Sequence, residues 1–125
     1  MYNHENKARE LKKQGNNCSV SLHSAFYEDI NISEEYPDPR SIDGKCGALL
    51  TALKILEETG NSKELEKFEK RFKDKFGYTK CIELMTHERR CSDYVGESAK
   101  MIDEILNNWN IIIDNKLFYI YNSVK

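Results

Sequence analysis

Apolar residues in this chain recur mostly at steps of three and four, the period of helices that pack by one face. Residues 5–14 give a short helix with Ala8 and Leu11 as its thin apolar side, stopped at Gly15. Asn16 or Asn17 is placed to cap a second helix, in which Cys18, Leu22, Ala25 and Phe26 share a face. Pro37 and Pro39 exclude regular helix from the acidic stretch 31–42, which is expected as an exposed connecting loop. A central helix follows from about Gly44 to Thr59. Asp43 is its capping candidate, Gly60 its stop, and Leu49, Leu50, Leu53 and Leu56 recur behind Cys46.

Asn61, Ser62, Lys63 and Glu64 have the form of a capping box, and Leu65, Phe68, Phe72 and Phe76 give the next helix an apolar stripe. Gly77 closes it. Thr79 is placed to cap another helix with Cys81, Leu84 and Met85 on its inner side. Cys91 then leads a long helix whose buried face is Tyr94, Val95, Ala99, Ile102, Ile105 and Leu106. Gly96 weakens that helix by up to about 1 kcal/mol relative to Ala, which marks a close approach of a neighbouring helix. From Trp109 to Tyr121 the pattern turns aromatic and β-branched, and Asp114-Asn115-Lys116 could reverse the chain, so a small hairpin is favoured over continued helix. So apolar a strand pair needs covering, by its own domain or by a second copy in a homodimer. The expectation is an all-α fold, a small bundle of five to six helices with a short C-terminal β-hairpin. One domain spans 1–125, with a cysteine-bearing core at 15–106 and a tail at 107–125.

At 125 residues the chain suits one domain. Charged residues make up 32% and mean hydropathy is −0.71, so the exterior is heavily charged, and no apolar run is long enough to span a bilayer. The first seven residues lack the apolar core of a signal peptide, so no membrane insertion and a cytoplasmic location are expected. The 19 basic and 21 acidic residues interleave along the helices, which leaves no basic face for nucleic acid. A reducing compartment also disfavours structural disulfides, leaving metal, redox or packing roles for the four cysteines.

Cys18, Cys46, Cys81 and Cys91 each start a helix, each follow a cap or break, and each lie on the apolar stripe. Three follow a basic residue: Lys45, Lys80 and Arg90. If the stripes meet in one core, the four thiols converge where several positive helix ends add, and such ends favour thiolate over thiol. A buried cysteine taken singly is more often a small hydrophobe than a reactive group, but four in matching positions shift the balance toward redox or ligand chemistry. Paired metal knuckles are absent. A zinc ion or iron–sulfur cluster assembled from four helices is therefore the alternative, with His23 and His87 as extra ligands or bases, though surface histidine accounts for both more simply. The carboxylates form no isolated acid–base pair, and Gly44 and Gly47 do not make a phosphate loop.

The segments Gly15-Asn16-Asn17-Cys18-Ser19, Cys46-Gly47-Ala48-Leu49-Leu50-Thr51, Phe76-Gly77-Tyr78-Thr79-Lys80-Cys81, and Cys91 together resemble the C_GCAxxG_C_C family of redox-active proteins. Thr51 stands where that motif has its second glycine, and the glycine-rich approach to the central cysteine is shortened to Ser41-Ile42-Asp43-Gly44. The resemblance implies a redox role and names no substrate. The resulting expectation is thiol–disulfide exchange, or electron transfer by reversible disulfide formation. Cys46 is the expected nucleophile, Cys81 or Cys91 the resolving partner, and Cys18 the fourth site residue. Such chemistry requires no cofactor but does require a redox partner, which remains unidentified. A metal or iron–sulfur carrier and a structural, partner-binding module are the competing readings.

Overall fold

The longest element sets the axis of the bundle. In this computed structural model, which describes residues 4–86 and 91–117 with side chains to residue 107, helix α6 runs over Cys91–Leu117. Helices α1 (Glu5–Lys13), α2 (Cys18–Tyr27) and α3 (Gly47–Glu58) all pack on it, and α4 (Leu65–Phe76) lies against α3. A 3₁₀ turn at Ser62–Glu64 leads into α4, and a single-turn α5 (Cys81–Leu84) precedes α6. Leu22, Phe26, Leu49, Ile55, Leu56, Phe68, Phe72 and Ile102 are all but sealed from solvent, each contributing about 1.5–3 kcal/mol by burial. The core is therefore the one drawn by the three-four periodicity, and the all-α expectation is met.

Local chemistry explains where the elements begin. Asn17 caps α2 by accepting the Val20 N–H at 2.9 Å. Asp43 does not cap α3: it adopts a left-handed conformation (φ 52°) in a loop folded on itself, with the Lys45 N–H donating to the Ile42 carbonyl and the Arg40 N–H to the Lys45 carbonyl. The Cys46 N–H instead donates to the Thr79 carbonyl at 2.8 Å, and Cys46 becomes the N-cap residue. That extended tie to another segment delays the helix to Gly47. The capping box ahead of α4 does not form either, because the Asn61 amide donates back to Thr59. Thr79 is likewise no side-chain cap for α5; Lys80 occupies that position.

Two further expectations change. Met85 is 65% exposed and does not join Leu84 inside. The backbone is helical through Leu117, where a hairpin strand was favoured; no glycine or proline interrupts the sequence after Gly96, and a helix already nucleated extends at low cost. The rest of the hairpin reading, from residue 118, lies outside the described residues. Gly96 does serve a close approach, to a side chain: a Cβ there would fall 2.2 Å from Nε of Arg9, which crosses α6 to donate to the Ser92 carbonyl and to Asp93. Among the described residues, no helix is long and apolar enough to cross a membrane.

Candidate functional site

The helix starts that carry the cysteines are brought together by the backbone. Lys45 and Lys80 form an isolated antiparallel bridge, in which the Cys46 N–H donates to Thr79 and the Cys81 N–H donates to the Gly44 carbonyl at 2.9 Å. This fixes the openings of α3 and α5 side by side. On the other flank, Gly47 packs so closely against α2 that an added Cβ would lie 2.5 Å from Ser19 Oγ and 2.9 Å from Pro39 Cγ. Absence of a side chain at Gly47 thus lets the starts of α2 and α3, with Cys18 and Cys46, meet.

All four cysteines are free thiols. Cys18 and Cys46 are buried, at 7% and 2% exposure, whereas Cys81 and Cys91 are half-buried. The Cys46 thiol favours the Cys18 thiolate; burial opposes this, and Lys12, the backbone N–H and, most weakly, Cys91 assist. Together they lower the Cys18 pKa to about 6. Cys46, deeper and facing that thiolate, is raised well above the ordinary thiol value, because losing its proton would remove the hydrogen bond and place two negative charges together. The N–H groups of Ala48 and Leu49 favour ionisation of Cys46 but do not reverse this. Cys81 and Cys91 are also raised, by burial first and then by the Cys18 charge, with Arg40 and Lys12 respectively acting in the opposite direction.

The sequence makes Cys46 the expected nucleophile; in the structure the thiol pKa that is lowered is that of Cys18, and that of Cys46 is raised. Helix position alone could not separate them, since both open helices. What separates them is the proton donor each receives and the reach of Lys12 from the end of α1, neither of which is local in sequence. Lys45, which precedes Cys46, is engaged with Glu69 at 2.8 Å, and the cations that act on Cys18 and Cys81 are Lys12 and Arg40. Among the described residues no group of three or more His, Cys, Asp or Glu is arranged to hold a metal ion. His23 is not a surface residue: it is buried, bonded through Nε2 to the Ser33 carbonyl at 2.8 Å, stacked on Tyr27 and tilted against Tyr36. His87 lies outside the described residues.

Three buried hydroxyls, of Ser19, Thr51 and Ser98, have no hydrogen-bond partner among the described residues. Ser19, next in the chain to Cys18, is the one packed against Gly47, which follows Cys46. A second titratable cluster went unread in the sequence. His4, 3% exposed, bonds through Nδ1 to Asp103 and through Nε2 to Asp29, each at 2.7 Å, and stacks on Phe26 at 4.1 Å. Burial disfavours its charged form, but the bonds to Asp103 and then to Asp29 outweigh burial, and its pKa is raised. Compared with protein-family models, with curated proteins and with solved structures, the chain matches none of them.

Proposed function

We propose that this protein works by reversible thiol–disulfide chemistry, with Cys18 as the nucleophilic thiolate and Cys46 as the thiol that first shares its proton and then forms the disulfide. What supports this reading is that the starts of α2 and α3, which carry the buried thiols Cys18 and Cys46, pack on one another at Gly47, and that the Cys18 pKa is lowered to about 6 while that of Cys46 is raised. A thiolate beside a protonated thiol is the reactant state of a dithiol–disulfide couple: the ionised sulfur attacks, and its neighbour displaces what was attached. Cys91, less buried than the inner pair, is the thiol that takes the disulfide outward in this reading. The order of the four cysteines, with its resemblance to the C_GCAxxG_C_C family, supports the same role.

The test is intact mass across glutathione buffers of increasing oxidising strength, on protein purified without oxygen. Loss of two hydrogens, mapped to Cys18 and Cys46 and reversed by reductant, is the expected result. Four thiols that persist at every poise would overturn the proposal and make the cysteines packing residues.

A further inference from the structure

Independently of the redox reading, we propose that α1 is a strap latched by a proton: His4 holds it to both α2 and α6 only while its ring is charged, and loss of that proton on the alkaline side of neutrality lets α1 open while the rest of the bundle stays folded. Polar ties do most of the holding. Ala8 is the one residue that α1 buries fully and Leu11 packs in part, whereas α3 buries Leu49, Leu50, Ile55 and Leu56 among others. Nine residues of helix are marginal by themselves, so what docks α1 also keeps it helical. Its other anchors are Arg9, which donates to the Ser92 carbonyl and to Asp93 at 3.1 Å each, and His4, just ahead of its first turn. On α6, Ser92, Gly96, Ala99 and Asp103 follow at steps of four, three and four and share one face. That face is the one α1 covers, with Arg9 over Gly96 and His4 on Asp103.

The latch follows from the geometry of the ring. Nδ1 lies 2.7 Å from an Asp103 oxygen and Nε2 lies 2.7 Å from an Asp29 oxygen. A neutral imidazole has one N–H, so its other nitrogen would present a lone pair to a carboxylate; only the imidazolium donates to both. The distances therefore call for the charged ring, and its raised pKa agrees. The charged groups that face it are Asp103 from α6 and Asp29 from the turn after α2, with Glu5 and Lys7 of α1 nearest along the chain. The two carboxylates are not equivalent. Asp103 is 6% exposed and also accepts the His4 backbone N–H, whereas the Asp29 side chain is 50% exposed. When the ring gives one proton to solvent, the proton that remains stays on Nδ1, facing the carboxylate shielded from water, and Asp29 turns to solvent. The polar tie to α2 is then gone, and the ring is left on Phe26 by stacking alone, at 4.1 Å. α1 is shut most of the time at either pH. Deprotonation changes how often it opens, by about tenfold or more for one charge-assisted hydrogen bond lost.

The deciding experiment is amide hydrogen exchange of the full chain, read by mass spectrometry at about pH 6 and about pH 9. Dividing the protection of the α1 peptide by that of the α3 peptide at each pH cancels the pH dependence of the chemical exchange step. In the native protein that ratio should fall about tenfold or more between the two pH values. His4→Gln carries no charge at either pH, so its ratio should be low at the acid value already and unchanged at the alkaline one. Asp29→Asn gives a readout that a merely structural role would not move. Its side-chain amide donates an N–H to the neutral Nε2, so α1 should stay protected at both pH values and the fall should disappear. Because Asp29 is half-exposed, this variant keeps the fold even where His4→Gln does not. A native ratio that is the same at both pH values, or a fall that persists in either variant, would overturn the inference.

Discussion

Helix α2 carries a buried ionisable group cluster at each end, about 15 Å apart, and the two are built on opposite rules. At its C-terminal end, His4 has both ring nitrogens committed to carboxylates, and its backbone N–H is bonded to Asp103 as well. Every partner there is filled, so the cluster ties the start of α1 to α2 and α6 and has nothing left to react. At the N-terminal end, Cys18 has its pKa lowered and Cys46 its pKa raised, Cys81 and Cys91 are half-buried, and the Ser19 hydroxyl has no partner. Burial of charge is common to both ends. What distinguishes a structural cluster from a reactive one is whether the buried groups are saturated.

Removing Asp103 tests the structural half and has the largest expected effect. Asp103→Ala leaves His4 buried with half its partners gone and should destabilise the fold by about 3–5 kcal/mol, read from urea unfolding, while the Cys18 titration stays where it is. A change of thiol pKa in that variant would show the two ends to be coupled. Cys46→Ala tests the reactive half. Loss of its hydrogen bond should raise the Cys18 pKa by about 1–2 units, the equivalent of a charge-assisted hydrogen bond, as followed by thiolate ultraviolet absorbance against pH. An unmoved titration would mean that Lys12 and the helix start, not the neighbouring thiol, ionise Cys18.

The cysteine-bearing end was legible in the sequence and the His4 cluster was not, for a physical reason. Cys18, Cys46, Cys81 and Cys91 each announce a helix start locally, through Asn17, Gly44, Gly77 or a polar link, and four helix starts on apolar stripes have few ways to pack other than together. Their division of labour was hidden because it depends on Lys12, Arg40 and the Lys45–Lys80 bridge, contacts between segments far apart in the chain. His4 sits in a polar run with no periodicity, and its partners lie 25 and 99 residues away. Nothing local marks it. Met85 was misplaced for a related reason: α5 is one turn long, too short for a periodic face to mean burial.

The two ends should also respond differently to pH. Because the His4 pKa is raised on folding, its clamp contributes fully below the unfolded value of about 6.5 and is lost as pH rises through the folded value. The stability advantage of the native protein over His4→Gln should therefore shrink between neutral and alkaline pH, as measured by urea midpoints. A constant difference would mean that His4 acts through its stacking on Phe26 and not through charge.

The smallest expected effect separates unsatisfied groups with a use from those without one. Thr51 is 1% exposed and its hydroxyl has no partner, like that of Ser19, but it lies a full turn into α3, beyond the first turn that meets Ser19. Thr51→Val keeps the side-chain shape and removes a buried donor, so it should stabilise the protein by about 1 kcal/mol and leave thiol reactivity unchanged. Ser19→Ala removes the same kind of group at the α2–α3 contact and should gain similar stability, read from the same urea midpoints. Equal gains at both positions would mean that the two hydroxyls are alike in being unsatisfied; a loss at Ser19 would mean that its oxygen fills the close contact with Gly47 and Pro39 to the fold's advantage.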